Sequence, residues 1–255
     1  MKIICEKMLV FSEVYRMLDA LYGSDPAYEN TVIVLGYNVA DYLPDQLRQE
    51  YPGKKLIVYQ FEQLFDGSKW VNERMRRWLT GVDEIWEYDL SNMEWLTRHG
   101  FKPIYRPLCY CETLRDIPEA NKTVDVLFYG FPTPRRVRIM ASWMSVSWDR
   151  FYTSWLTGVN GKDLREAISH AKIVLNLHSF DRDCRQEQAR IFYPVINGAC
   201  VVSEKSPHNE FGKSIVECTT DKLNATLAYV LEHHKWKEVS DIAADTYKRH
   251  CEGRK

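Results

Sequence analysis

The chain has 255 residues, 45% of them hydrophobic and 27% charged, so it carries enough apolar surface for one large core or two small ones and is not mainly disordered. Its formal net charge of −1 hides a split: residues 1–120 hold 14 Lys+Arg against 19 Asp+Glu, and residues 121–255 hold 20 against 16. The halves thus carry −5 and +4, which makes the second the expected home of an anionic ligand.

At the N-terminus Glu6, Lys7, Glu13 and Arg16 interrupt every apolar run before it reaches the length of a signal-peptide core or a membrane span. A soluble, cytoplasmic protein with no membrane partner is expected. Short β-branched or aromatic runs then alternate with amphipathic stretches, the pattern of a parallel sheet covered on both faces. Strands are predicted at Thr31–Leu35, Lys55–Tyr59, Glu84–Tyr88 and Pro103–Arg106. Helices are predicted over 41–51, 68–79 and 91–99, the last capped by Ser91 and stopped by Gly100.

The stretch from Cys109 to Lys122 has no clean period and reads as a linker. Beyond it strands are predicted at Thr123–Tyr129, Ala171–Leu177 and Ala199–Val202, with helices over 134–144, 162–170, 185–196, 221–233 and 235–251. The expected fold is α/β, two Rossmann-like lobes in tandem with a cleft between them, divided as 1–120 and 121–255. The cysteines Cys5, Cys109, Cys111, Cys184, Cys200, Cys218 and Cys251 form no CxxC pair and read as reduced structural thiols.

Ligands of open α/β sheets sit outside the carboxyl ends of the strands, where loops diverge and helix N-termini point free N–H groups into the gap. After the 123–129 strand come Gly130, a proline-started helix, Arg135 and Arg136, which suit a diphosphate or, equally, a solvated first helical turn. The 171–177 strand delivers His178. The following helix is expected to present Glu187 and Arg190 one turn apart, either as a surface ion pair or as a grip on hydroxyls and phosphate.

The succession DVLFYG, RR, AKIVLNLH, ExxR and NGACVVSE from Asp125 to Glu204 resembles a family of bacterial and phage glycosyltransferases of GT-B architecture. YQFEQL at Tyr59, WEYDLSN at Trp86 and YRPLCY at Tyr105 match that family's first lobe in the same order. The resemblance implies an acceptor lobe over 1–120 and a donor lobe over 121–255. The donor is a nucleoside-diphosphate sugar, UDP-linked in the first instance, with no permanently bound cofactor. Its candidate contacts are Gly130, Arg135, Arg136, His178, Glu187, Arg190, Asn197, Ser203 and Glu204. One departure is that the usual pair of glutamates eight residues apart is missing, because Val195 stands eight beyond Glu187.

Glycosyl transfer also needs a base for the acceptor hydroxyl, and Glu62, Asp89 and His178 are the candidates, Glu62 first. Asp181-Arg182-Asp183 spells the DxD of metal-dependent transferases, but the arginines leave no metal expected. The stretch Lys69, Trp70, Arg74, Arg76, Arg77 and Trp78 reads either as an amphipathic helix or as a surface that tracks phosphates and stacks on bases. Because compact members of the resembling family occur in phages that glycosylate hydroxymethylated bases, the resemblance implies a hydroxymethylated pyrimidine in DNA as acceptor. A small molecule, glycan or protein acceptor, or a non-catalytic nucleotide- or DNA-binding module, are the alternatives. A dehydrogenase would need a GxGxxG turn that Gly36-Tyr37-Asn38 does not supply.

Overall fold

Strands this apolar cannot leave either face in water, and in a computed structural model of the chain they form two five-stranded, all-parallel sheets with helices packed on them. The structure describes residues 1–5, 8–38, 40–182 and 184–253, without the side chains of residues 8–10. The chain divides into two units, Met1–Leu108 and Cys109–Lys255.

The first unit runs β1 (Lys2–Ile4), α1 (Met8–Tyr22), β2 (Thr31–Leu35), α2 (Pro44–Glu50), β3 (Lys55–Gln60), α3 (Glu73–Gly81), β4 (Glu84–Glu87), α4 (Leu90–Arg98) and β5 (Pro103–Tyr105). Its strands lie side by side in chain order. Alternation along them sends Val32, Val34, Leu56, Val58 and Ile85 to one face, into a core with Leu47, Met75, Trp78, Trp95 and Leu96. Tyr59 and Trp86 take the reverse face, where Tyr22 of α1 packs on Trp86 with ring centroids 5.3 Å apart. The cap of α4 is Asp89, whose Oδ1 accepts from the Asn92 N–H at 2.9 Å, and not the expected Ser91.

The second unit runs β6 (Val124–Tyr129), α5 (Pro134–Ser147), β7 (Thr153–Leu156), α6 (Gly161–His170), β8 (Ala171–Asn176), α7 (Gln188–Ile196), β9 (Cys200–Glu204), β10 (Val216–Cys218), α8 (Leu223–Glu232) and α9 (Lys235–Glu252). Its strand order is β10-β9-β8-β6-β7, so the chain leaves β6 in one direction and β8 in the other. Helices α5 and α8 cover the face of Phe128, Ile173, Leu175 and Val202. Helix α7 packs on β8 and β9 together with α9. Loops leaving β6 and β8 therefore part to opposite faces and open a crevice at their carboxyl ends. The short strands β1, β7 and β10 are too brief to announce themselves by alternation and were not expected from the sequence.

The segment expected to be a linker belongs to the second unit, and the division falls at Leu108 rather than Ala120. Its polar groups are tied down, as a linker's are not. Tyr193 Oη donates to Asp116 Oδ1 at 2.6 Å, Asn197 Nδ2 donates to the Leu114 carbonyl at 2.9 Å, and Asn197 Oδ1 accepts from the Ile117 N–H at 2.9 Å. Asn197→Ala should cost about 1–3 kcal/mol, the usual cost of stranded buried partners. Hydrogen exchange should show faster amides over 112–117 while β8 and β9 keep their protection.

Candidate functional site

At the crevice between β6 and β8, Gly130 adopts φ 152°, open to glycine alone. A Cβ there would lie 3.0 Å from Arg190 Nη2, so the missing side chain is what lets the guanidinium of α7 rest against the β6–α5 loop. Arg190 Nη1 is buried without a hydrogen-bond partner, and its guanidinium carbon stands 5.9 Å from the centre of the Tyr129 ring. The loop continues through Phe131, 74% exposed, to the N-terminus of the fourteen-residue α5, capped by Thr133. A basic side chain, a glycine turn and a positive helix end thus meet at one point.

Behind this surface lies a buried charged layer. Arg135 grips Glu204 with both terminal nitrogens at 2.6 Å, and reaches the His178 carbonyl at 3.1 Å and Thr220 Oγ1 at 3.2 Å. Arg136, 2% exposed, donates to the Leu177 carbonyl at 2.9 Å and to Glu187 Oε1 at 3.0 Å. Burial pushes the Arg136 guanidinium down to about 10 against the pull of Glu187, with Arg190 adding to the depression, so it remains a cation at neutral pH. Burial raises the Glu204 carboxyl, but hydrogen bonds from Arg135 and Thr220 and the nearby His178 outweigh it and hold the group below its ordinary value. Glu187 follows the same balance, lowered chiefly by Arg190 and Arg136 and by the Ser179 hydroxyl 2.8 Å away.

Several expectations change. Arg135, Arg136 and Glu204 have their hydrogen bonds taken by protein partners and face inward, because each is buried and needs those partners. Glu187 is the residue before α7 rather than a member of the helix, and the charge of Arg190, three positions on, still reaches it. Ser203 is sealed beneath the sheet edge, accepting from Asn176 Nδ2 at 3.0 Å. Asn197 sits at the far end of α7, about 13 Å of helix from the crevice, where it holds the 112–117 segment. Both ring nitrogens of His178 face backbone carbonyls, so the ring has no free site to act as a base. Thr220 and Ser179, which complete the layer, carry no local sequence signal, and Thr220 is placed only by β10, a strand of three residues.

In the first unit the carboxyl ends of β3 and β4 carry a second polar network. Glu87 is fully buried, with Oε1 accepting the N–H groups of Tyr88 and Asp89 at 2.9 Å and Oε2 accepting Gln60 Nε2 at 2.9 Å and Asn92 Nδ2 at 3.0 Å. Burial and the charge of Asp89 push its carboxyl well above the ordinary range, against those donors. The two amides in turn hold the Glu62 carbonyl at 2.6 and 2.8 Å. Glu62 is half-buried and accepts from Asn38 Nδ2, whereas Asp89 is a buried helix cap. Glu87 is a polar residue absent from the expected site, and its signal in the sequence is a glutamate that ends an apolar strand as Gln60 ends the neighbouring one.

Of the basic aromatic stretch, Lys69, Arg76 and Arg77 are exposed and Trp70 is half-buried beneath Lys69. Trp78 lies in the core, and Arg74 binds the carbonyls of Tyr37, Ala40 and Tyr42. Asp181 pairs with Arg138 at 2.9 Å; Asp183 lies outside the described residues. Among the described residues no cluster of three metal-binding side chains occurs, and no helix is long and apolar enough to cross a membrane.

No protein-family model and no curated protein sequence matches the chain. Among solved structures it is similar to sucrose-phosphate synthase from Thermosynechococcus elongatus, with a TM-score of 0.58 and 11% identity over 96% of this chain and 75% of that one. It is similar also to HepE from Anabaena in complex with UDP, with a TM-score of 0.55 and 8% identity over 87% of this chain and 74% of that one. A glycosyltransferase from Rickettsia africae gives a TM-score of 0.50 at 9% identity over 96% and 77% of the two chains. The fold is that of the two-lobed GT-B glycosyltransferases, each lobe Rossmann-like.

Two outcomes follow from the charged layer. Glu204→Gln leaves Arg135 buried without its counter-charge and should cost about 3–5 kcal/mol in urea denaturation. Because Glu187 and Glu204 are held below their ordinary values, their stabilisation is complete above the unfolded carboxylate value of about 4.3 and is lost as pH falls through the folded values. Denaturation midpoints measured from pH 7 to pH 3 should therefore decline only below about pH 4.3.

Proposed function

We propose that the chain is a glycosyltransferase that moves a sugar from a nucleoside-diphosphate sugar, UDP-linked in the first instance, to an acceptor hydroxyl. The observation that carries this reading is the Arg190 guanidinium, laid against Gly130 at the crevice of a GT-B second lobe with Nη1 buried and unpartnered. A diphosphate oxygen supplies the acceptor that this nitrogen lacks, and the N-terminus of α5 favours the same charge. Arg135 and Arg136 act through position and field, by fixing the loops and keeping the layer cationic, rather than by touching the donor. Glu187, beside Ser179, is the carboxylate for a ribose or sugar hydroxyl.

In the transfer the acceptor oxygen bonds to the anomeric carbon, its proton passes to a base, and the nucleoside diphosphate leaves with the electron pair of the broken bond. Stabilising that leaving charge is the work of the second lobe. Glu62 is the proposed base, since its backbone is held by Gln60 and Asn92 while Asp89 caps a helix. For the acceptor, the exposed Lys69, Arg76 and Arg77 favour a polyanion, and the hydroxymethylated pyrimidine of DNA remains the specific proposal.

Calorimetry with UDP, followed by a transfer assay with UDP-sugars, tests the reading. Arg190→Ala should weaken UDP binding by about tenfold to a hundredfold, as for a lost charged hydrogen bond, while circular dichroism shows it folded. Unchanged affinity removes Arg190 from the site. Transfer to a small acceptor but not to hydroxymethylcytosine DNA removes DNA as the acceptor.

A further inference from the structure

We infer that the chain pairs with a second copy of itself through helix α5, the two helices lying antiparallel across a two-fold axis. A surface helix ordinarily buries one apolar stripe, and α5 does so with Met140 and Trp143 in the core of the second unit. It carries a second stripe that the chain leaves in water. Val137, Ala141, Met144 and Trp148 are all exposed, Trp148 at 80%. They follow one another at steps of four, three and four residues, the heptad seam by which helices mesh knobs into holes. Trp148 caps the helix with φ −57° and ψ −30°, helical values that keep it in line with the other three.

The seam is complementary to itself. With the axis between Ser142 and Trp143, Trp148 of one copy faces Val137 of the other and Met144 faces Ala141, a large side chain against a smaller one at every level. A parallel pair would set Trp148 on Trp148 and leave a gap between the two Ala141 methyls. The hollow of about 400 Å³ that Met144 and Trp148 share with Phe151 and Tyr152 lies at the end where Val137 of the copy arrives. Charge follows the same register. Arg138, whose side chain is 64% exposed, comes level with the exposed Asp149 of the copy to within two residues, about 3 Å of helix rise, and symmetry makes the contact twice. Within its own chain Arg138 pairs only at the surface, with an Asp181 that is 65% exposed. Aromatic side chains bury on the order of 150–250 Å² each, so Trp148, Met144 and Val137 from both copies bring the total near the roughly 1,000 Å² of the smallest specific interfaces. A reversible dimer follows, with Kd on the order of 10 μM. No residue assigned to the donor crevice takes part, so the pairing is independent of the function proposed above.

Sedimentation equilibrium of the full chain, from about 1 to 200 μM, should show a monomer in exchange with a dimer. Trp148→Ala removes the largest knob, and Ala141→Glu puts a charge where Met144 of the copy must sit. Each should weaken the dimer at least about tenfold. Both positions are exposed, so the folded monomer should survive either change, as circular dichroism will show. Arg138→Asp should weaken the dimer about threefold, and adding Asp149→Arg to the same chain should restore it, which a merely sticky surface would not do. A chain that stays monomeric at 200 μM overturns the inference, as does a dimer whose Kd ignores both Trp148→Ala and Ala141→Glu. A dimer that the seam variants weaken but the reversed charges fail to restore overturns the antiparallel register.

Discussion

The second unit depends on one ion pair. Arg135 and Glu204 are 69 residues apart in the chain, both buried, and joined by two bonds of 2.6 Å. Bringing these charges out of water costs several kcal/mol each, and only two-pronged geometry with every remaining position filled offsets it. Thr220 and the His178 N–H fill those positions on Glu204, and the His178 carbonyl fills one on Arg135. The pair therefore fixes three strand ends at once: the loop after β6, the end of β8 and the end of β9. Since the crevice is bounded by those loops, its shape is set by charges that do not reach its surface.

The two units solve the same problem with different chemistry. Each has an open parallel sheet whose carboxyl edge carries polar groups that must be satisfied. In the first unit the buried carboxyl of Glu87 collects neutral donors from Gln60, Asn92 and two backbone N–H groups, and so positions Glu62 without a buried cation. In the second unit carboxylates are met by guanidinium groups, with Arg190 left over. Divided at Leu108, the first unit holds 13 Lys+Arg against 16 Asp+Glu and the second 21 against 19, nets of −3 and +2 that run in the same sense as the groups at each sheet edge. A surplus cation in a partly dry crevice is the feature that suits an anionic ligand.

Much of this was legible in the chain. The apolar runs at Thr31–Leu35, Lys55–Gln60, Val124–Tyr129 and Ala171–Asn176 are long and β-rich enough to specify buried parallel strands, and the punctuation after them marks where polar residues gather. Glycine at 130 and arginine at 135, 136 and 190 were legible as a basic crevice by the same rule. Sequence periodicity does not tell which side chains face a ligand and which face one another, because partners such as Arg135 and Glu204 are distant in the chain. It also misplaced Asn197, since a residue close in sequence to a site can stand at the opposite end of a helix.

The sequence by itself determined two α/β units, their parallel strands and the uneven charge between them, because local hydrophobic patterning is enough to fix those. Tertiary structure alone decided that Arg135 and Arg136 are internal ties, that Arg190 keeps an unpaired nitrogen, and that His178 is held between two carbonyls. The physical reason is that a buried polar group takes its role from whichever partners the fold carries to it, 41 to 69 residues away for the bonds of Arg135 and Arg136 to Leu177, His178, Glu187 and Glu204, and no local pattern records that meeting.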